Sequence, residues 1–315
     1  SIPVATQYFA DGTYDVFDPD GNDPDVLADM RTTVNRNGQD VNDYIYGNAR
    51  MDLFSMAAGV VQGFLGFEYR EEDYEDLYDQ QSVTGNVGGS AGNSAFGTRE
   101  TKSLFGEVLV PILDNLELDV AVRYDDYDDF GSATSPKASI RFQPLDILTL
   151  RASYGEGFRA PPLPFLNAEE AFSADTVVDP QTAAAFGLDP DTSIQINAFR
   201  IANPDLEPED STQFSFGLAL APADWVNLTL DYYSIDVENQ IAFFGSSTLL
   251  GREMNGGPIP PGLGVIRNAD GSIQRINTGY GNEGEVKTDG IDFNVRTDFT
   301  LGGFGVISNQ LQIGY

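Results

Sequence analysis

The sequence contains no cysteine and no histidine. Without cysteine there is no disulfide framework, no thiol nucleophile and no zinc–thiolate site. Without histidine the commonest general base and the commonest metal ligand are both missing, and Ser-His-Asp chemistry is excluded. Bases are scarce as well. Against 49 Asp and Glu stand 17 Lys and Arg, for a formal net charge of −32. Nucleic acid is therefore not expected as a partner, because phosphate contacts need Lys and Arg. A surface this acidic suits a cation-rich medium and attracts divalent cations.

Long apolar runs are also lacking. No stretch reaches the roughly 18 apolar residues of a membrane-spanning helix. The nearest, Leu53 to Phe67, is interrupted by Ser55, Gln62 and glycines. The opening "SIPVATQYFADG" has neither the basic start nor the apolar core of a signal peptide, so a mature or partial piece is expected. A β-barrel remains open to such a chain, since its strands cross a bilayer with far fewer residues than a helix.

What is present is alternation. The 315 residues suffice for two ordinary domains or one large β-structure. Residues 1–42 read as a loop region, with a short helical turn near Val26 to Arg31; "FDPDGNDPD" (Phe17 to Asp25) packs turn formers together. From Asp43 onward the period is two. Leu116, Leu118, Val120, Val122 and Tyr124 share one face, and Glu117, Asp119, Ala121 and Arg123 the other. The same pattern runs through 137–142, 148–154, 213–220, 226–232 and 291–299.

Ten strands are predicted, at 43–56, 59–74, 99–112, 116–128, 136–143, 148–157, 211–221, 225–243, 283–299 and 304–315. Their connections alternate in length. Tight turns fall near Ala57-Ala58-Gly59, Leu113-Asp114-Asn115, Pro144-Leu145-Asp146, Pro222-Ala223-Asp224 and Gly302-Gly303, and long gaps at 75–98, 128–136, 158–210 and 244–282. One rim of tight turns and one of long loops is the anatomy of a transmembrane barrel. A soluble β-sandwich alternates too. Strand length and the heavily charged polar face favour the barrel, as do aromatics such as Tyr124, Tyr127, Phe130 and Tyr232 toward strand ends.

"LRASYGEGFRAPPL" (Leu150 to Leu163) resembles the barrel signature of TonB-dependent outer-membrane receptors, and "NPDLEPEDSTQFSFGL" (Asn203 to Leu218) resembles the same family's returning strand. Further segments match in order over roughly residues 50–315, including "LTLDYYSIDVENQI" and "VKTDGIDFNVRTDF". The resemblance implies an all-β fold: part of an antiparallel up-and-down transmembrane β-barrel in the bacterial outer membrane, with about ten strands of a larger plugged barrel of about 22. Residues 1–42 would form an extracellular loop region and 43–315 the partial barrel. It further implies active uptake of a small nutrient bound by long outer loops, with no covalent chemistry. The partners would be the lipid bilayer and the TonB complex, the latter reached through a plug domain not recognised in this chain. A passive porin-like channel and a soluble secreted sandwich that binds carbohydrate, or acts as a hydrolase, are the alternatives.

The motif residues Gly157, Phe158, Arg159, Ala160, Pro161, Asn203, Pro204, Leu206, Pro208 and Glu209 are expected to be architectural. Phe158 would fix the chain's exit from the strand by packing, Arg159 by pairing with an acid, and "NPDLEPE" would anchor the loop's return. No cofactor is expected apart from calcium in acidic loops. Asp18, Asp20, Asn22, Asp23 and Asp25 offer hard oxygen ligands, although EF-hand spacing fails; a solvated turn is the competing reading. Asp125, Asp126, Asp128 and Asp129 form a second such cluster. No pair among the many carboxylates stands out for glycoside hydrolysis. "GNVGGSAGNSAFG" (Gly85 to Gly97) reads as a flexible loop and not a phosphate cradle, because no GK[ST] follows it.

Overall fold

The computed structural model describes residues 1–87 and 92–315. Residues 88–91, within the Gly/Ser/Asn stretch, lie outside the described residues. Two helices, α1 (Ile2–Asp11) and α2 (Pro24–Met30), precede strands β1 (Arg36–Met56) and β2 (Gly59–Tyr78). After a helical turn, α3 (Gln80–Val83), come β3 (Ala95–Leu113), β4 (Leu116–Tyr127), β5 (Gly131–Leu145) and β6 (Leu148–Arg159). A first folded excursion holds α4 (Leu163–Asn167), β7 (Ala171–Val178), α5 (Pro180–Phe186) and β8 (Ser193–Ile201). The hairpin β9 (Glu209–Ala223) and β10 (Val226–Glu238) follows. A second excursion holds β11 (Ile241–Phe244), α6 (Ser246–Asn255), β12 (Gly264–Arg267) and β13 (Ile273–Asn282). The last strands are β14 (Glu285–Thr300) and β15 (Val306–Gly314).

Ten strands form one antiparallel sheet in the order β1-β2-β3-β4-β5-β6-β9-β10-β14-β15. It is open, with β1 and β15 at its edges. Every strand anticipated from the alternation is present. The tight turns fall where expected, although Pro144-Leu145 and Pro222-Ala223 close their strands and the turns themselves are Asp146-Ile147 and Asp224-Trp225; at Ala57-Ala58-Gly59 the glycine is required. Gly59 has φ 147°, and a Cβ there would lie 3.2 Å from Pro111 Cγ.

The two faces differ as the alternation implies. Val120, Val122 and Tyr124 are 46%, 49% and 45% exposed, and among the described residues no second sheet covers them. Leu104, Ile140, Phe214, Phe216, Leu230 and Ile291 repeat this along neighbouring strands. An apolar face this wide is incompatible with water and matches lipid. On the other face, side chains bond across strands. Ser103 donates to Asp125 at 2.6 Å, and Arg123 donates to Asp125 at 2.9 Å and to Ser103 at 2.8 Å. Arg151 reaches Asp231 with contacts of 2.7–3.0 Å, passing over Gly217 of the strand between them. A Cβ at Gly217 would fall 1.9 Å from Asp231 Oδ1, so only glycine leaves room for that pair.

Several expectations need correction. The first strand starts at Arg36, not Asp43, because Arg36–Asn42 pair with Glu72–Tyr78. Val41 is the one large apolar residue there, so alternation gives no signal. The loop-like start contains α1, with Pro in its first turn and Gly12 in the left-handed region (φ 75°) at its end. The predicted strand 225–243 is two strands. Asn239, at φ 57°, breaks it and sends β11 out of the wall. The gaps at 158–210 and 244–282 are folded structure. Their strands form a second sheet, β11-β13-β8-β7, with β12 also on β13.

This second sheet joins the two excursions through a parallel pairing, Ile276 opposite Ala198 to Gly279 opposite Ile201. Beneath it lies a core of Val177, Ala183, Ile194, Ile196, Ala198, Phe244, Leu249, Leu250, Ile273 and Ile276. Among the described residues, Val61 and Ala95 are the only buried hydrophobic residues supplied by wall strands.

Candidate functional site

The loop body stands on the wall through the two sequence motifs. Arg159, the last residue of β6, lies opposite Glu209, the first of β9. Its guanidinium donates to both carboxylate oxygens, from Nε at 2.6 Å and from the terminal nitrogen at 2.5 Å. Glu209 also accepts the backbone N–H of Ile241 at 2.8 Å. One carboxylate thus ties the end of β6, the start of β9 and the start of β11. A charged, bidentate clasp of this kind is stronger than a neutral hydrogen bond.

The other motif residues surround this clasp. The Phe158 ring packs edge-on to Tyr127, with centroids 5.8 Å apart, and near Phe130. Pro161 is fully buried, and its carbonyl accepts from Arg99 at 2.6 Å. Gly157 sits beside Ser211, where a Cβ would be 3.2 Å from the hydroxyl. Asn203 donates to the Tyr280 carbonyl at 2.9 Å and caps the backbone of Asp205. Leu206 is buried with Leu166 and Ile241. The Pro208 carbonyl accepts from Asn239 at 2.9 Å. Ala160 and Pro204 occupy the irregular segments just after β6 and just before β9.

A second, buried network stitches one excursion to the other. Asp179 caps α5, accepting the Thr182 N–H at 3.0 Å and its hydroxyl at 2.5 Å. It also accepts from Arg267 of β12 at 2.7 and 3.2 Å. Arg267 reaches on to Glu253 of α6 at 2.7 Å, and Thr182 Oγ1 accepts the Ile273 N–H at 2.9 Å. Burial works against the Asp179 charge, yet hydrogen bonds from Arg267 and Thr182 outweigh it and hold the carboxyl below the usual carboxylate range. None of these residues was singled out from sequence. The available signal was "DPQT", a helix start closed by Gly187.

Between the wall and the loop body lies a cavity of about 260 Å³. Arg36, Tyr74, Asp76 and Tyr78 line it from β1 and β2; Phe165, Arg200 and Tyr280 line it from the loop body. Phe165 and Tyr280 stack with centroids 3.6 Å apart. A second cavity, about 460 Å³, is lined by Asp205, Glu207, Arg252 and Glu283 among others.

The acidic clusters bond within the protein. Asn22 donates to the carbonyls of Asp15, Asp18 and Pro19 and accepts the Asp15 N–H. Asp23 caps α2 through the Asp25 N–H, while Asp18 and Asp20 lie at the adjoining turn. Asp129 pairs with Arg99, Asp128 accepts the Glu100 N–H, and Asp125 is held by Ser103 and Arg123. Among the described residues, no group of three or more acidic side chains converges in a way that would hold a metal ion.

An open antiparallel sheet, lipid-facing on one side and polar on the other, with tight turns on one rim and folded excursions on the other, defines part of an outer-membrane β-barrel wall. The comparison with known proteins names the family. A family model described as "TonB dependent receptor-like, beta-barrel" matches residues 4–312. The chain belongs to the TonB-dependent receptors, a family of outer-membrane barrel proteins.

A probable TonB-dependent siderophore receptor, PirA of Acinetobacter baumannii, is 23% identical over 226 residues, covering 68% of this chain and 25% of that protein. A mutant of the ferric enterobactin receptor PfeA of Pseudomonas aeruginosa, solved with enterobactin, superposes with a TM-score of 0.63 at 19% identity. It covers 88% of this chain, which covers 36% of it. The RagAB peptide transporter superposes with a TM-score of 0.57 at 17% identity, over 90% of this chain and 30% of that one. The chain thus spans a quarter to about a third of the length of these relatives.

Proposed function

We propose that this chain is part of the wall and the outer surface of a receptor that actively takes up a small nutrient across the outer membrane. The loop body formed by 160–208 and 239–284 would be its ligand-facing part. The observation that carries the reading is that body's construction: a packed core and a buried ion network raised on one rim of a lipid-facing wall. A passive channel needs no such structure over its mouth. Energy would come from the TonB complex acting through a plug domain. Among nutrient classes a ferric siderophore is the first choice, because relatives covering most of this chain carry the names siderophore receptor or ferric enterobactin receptor. A soluble sandwich is disfavoured by the uncovered apolar face of the wall.

The test is transport of radiolabelled ferric chelates into iron-starved cells, with and without the intact receptor and with the proton motive force collapsed. The expected result is uptake that needs both. Accumulation that continues after the collapse would make the protein a passive channel, and no accumulation of any chelate would move the nutrient to another class.

A further inference from the structure

The apolar face of the wall is not evenly filled. On β3, Gly106 lies in register with Leu65 of β2 on one side and Val122 of β4 on the other. Leu104 and Val108 are its same-face neighbours along the strand. All four are large, apolar and exposed, and Gly106 is the gap among them. The gap continues to Gly63 of β2, where a Cβ would lie 3.1 Å from the Leu53 side chain of β1. Together they form a groove of about 400 Å³ walled by Met51, Leu53, Leu65, Val108, Val120 and Val122. Phe64, Glu107 and Ala121 border it as well, but they alternate with the wall residues, so their side chains turn to the inner face.

Nothing in the protein itself demands glycine at 106. Its φ lies outside the left-handed region. A Cβ there would stand 3.6 Å from the Phe64 carbonyl oxygen and 3.8 Å from Leu65 Cδ1, which are ordinary contacts. A glycine inside a strand weakens it, and such a position often marks where a ligand approaches the backbone closely.

The occupant follows from the surroundings. The groove is continuous with the face that meets lipid, and none of its six wall side chains carries a charge or a hydrogen-bond donor. A peptide segment lying here would leave backbone groups unpaired in hydrocarbon, whereas an alkyl chain has none to satisfy. Gly63 is four residues past Gly59 at the tight-turn rim. That is roughly 14 Å along the strand, less than half of a hydrocarbon core of about 30 Å, so the groove opens to the leaflet on the tight-turn side.

We propose that this groove binds one acyl chain of a phospholipid from that leaflet, more tightly than the lipids that merely surround the wall. The chain takes the space of the side chain that Gly106 lacks, between Leu65 and Val122.

The test is native mass spectrometry of the intact receptor in detergent, titrated with a saturated phosphatidylethanolamine. One phospholipid is expected to stay bound under activation that strips the rest. Gly106→Ile, whose β-branched side chain suits a strand, should fill the groove and weaken that binding about tenfold, because several methylenes of the lipid lose their apolar seat. Gly106→Ala should weaken it less. Ala152→Ile adds bulk to the same apolar face on β6, opposite Ile140 and Phe216 and outside the groove, and should have no effect. Unchanged electrophoretic mobility without heating would show that the barrel is intact in each variant. No retained phospholipid, retention that survives Gly106→Ile, or an equal loss in Ala152→Ile overturns the proposal. A complex of two receptor chains that Gly106→Ile dissociates would give the groove to a second copy and overturn it as well.

Discussion

The wall and the loop body are stabilised in opposite ways. The wall buries almost no apolar side chain of its own, and its large apolar side chains point outward to lipid. It is held by an antiparallel ladder and by polar side chains bonded across its inner face. The loop body has the anatomy of a small soluble domain, with an apolar core, capped helices and a buried ion network. Reversed hydrophobicity suits a sheet in a bilayer, whereas the body above it must exclude water. Sequence reasoning that treats apolar alternation as a core would place the interior of this molecule in the wrong region.

The sharpest way to break the comparison is to remove the same atoms from each region. Leu249→Ala, at a position with 0% exposure, should cost the loop body about 2–5 kcal/mol, read as accelerated hydrogen exchange across 160–208 and 239–284. Leu104→Ala, at 56% exposure on the lipid face, leaves no buried cavity and should change the barrel's thermal midpoint far less. Equal effects at the two sites would erase the distinction.

The loop body should also respond to acid. The Asp179 carboxyl is held below its ordinary value in the folded state, so its contribution is complete above the unfolded carboxylate pKa of about 3.9. That contribution is lost as pH falls through the lower folded value. Proteolysis within the excursions should accelerate on acidification below about pH 4 while wall fragments persist. In Asp179→Asn the body should be looser at neutral pH, with a smaller acid step.

Next in size is the joint between the two regions. Glu209→Gln removes a charged acceptor shared by Arg159 and the Ile241 N–H and should cost about 1.5–3 kcal/mol locally. The Ile241 amide should exchange faster while the central wall amides keep their protection. The smallest effect belongs to the wall. Gly217→Ala places a Cβ against Asp231, parting an ion pair whose Arg151 side chain is 56% exposed. Such a pair is worth about 0–1 kcal/mol, so the thermal midpoint should fall by a few degrees at most.

The wall was legible in the sequence because side chains alternate wherever one face meets lipid and the other a polar interior. Val120 and Asp119 illustrate that contrast. The upper part of β1 was not legible, because Val41 is the one large apolar residue of Arg36–Asn42 and sets up no alternation. The loop body was hidden by its strand lengths and its crossings. β11 and β12 have four residues each, and the pairing of β8 with β13 joins residues far apart in the chain. "SIQINAF" does alternate, with Ile194, Ile196 and Ala198 inward, but it stands alone inside a long gap with no sequence neighbour to pair with. For Arg159 the sequence called for an acidic partner without naming which acid.

The central claim concerns which face of the wall meets lipid, and the absence of cysteine makes it directly measurable. Single cysteines placed in turn at residues 116–127 of β4 and spin-labelled in a bilayer would report collision with oxygen and with a water-soluble nickel chelate. The account predicts a period of two: Leu118, Val120 and Val122 favour oxygen, and Asp119, Ala121 and Arg123 favour the chelate. Labels at 118, 120 and 122 that see the chelate, or that lie immobilised away from both reagents, would contradict it.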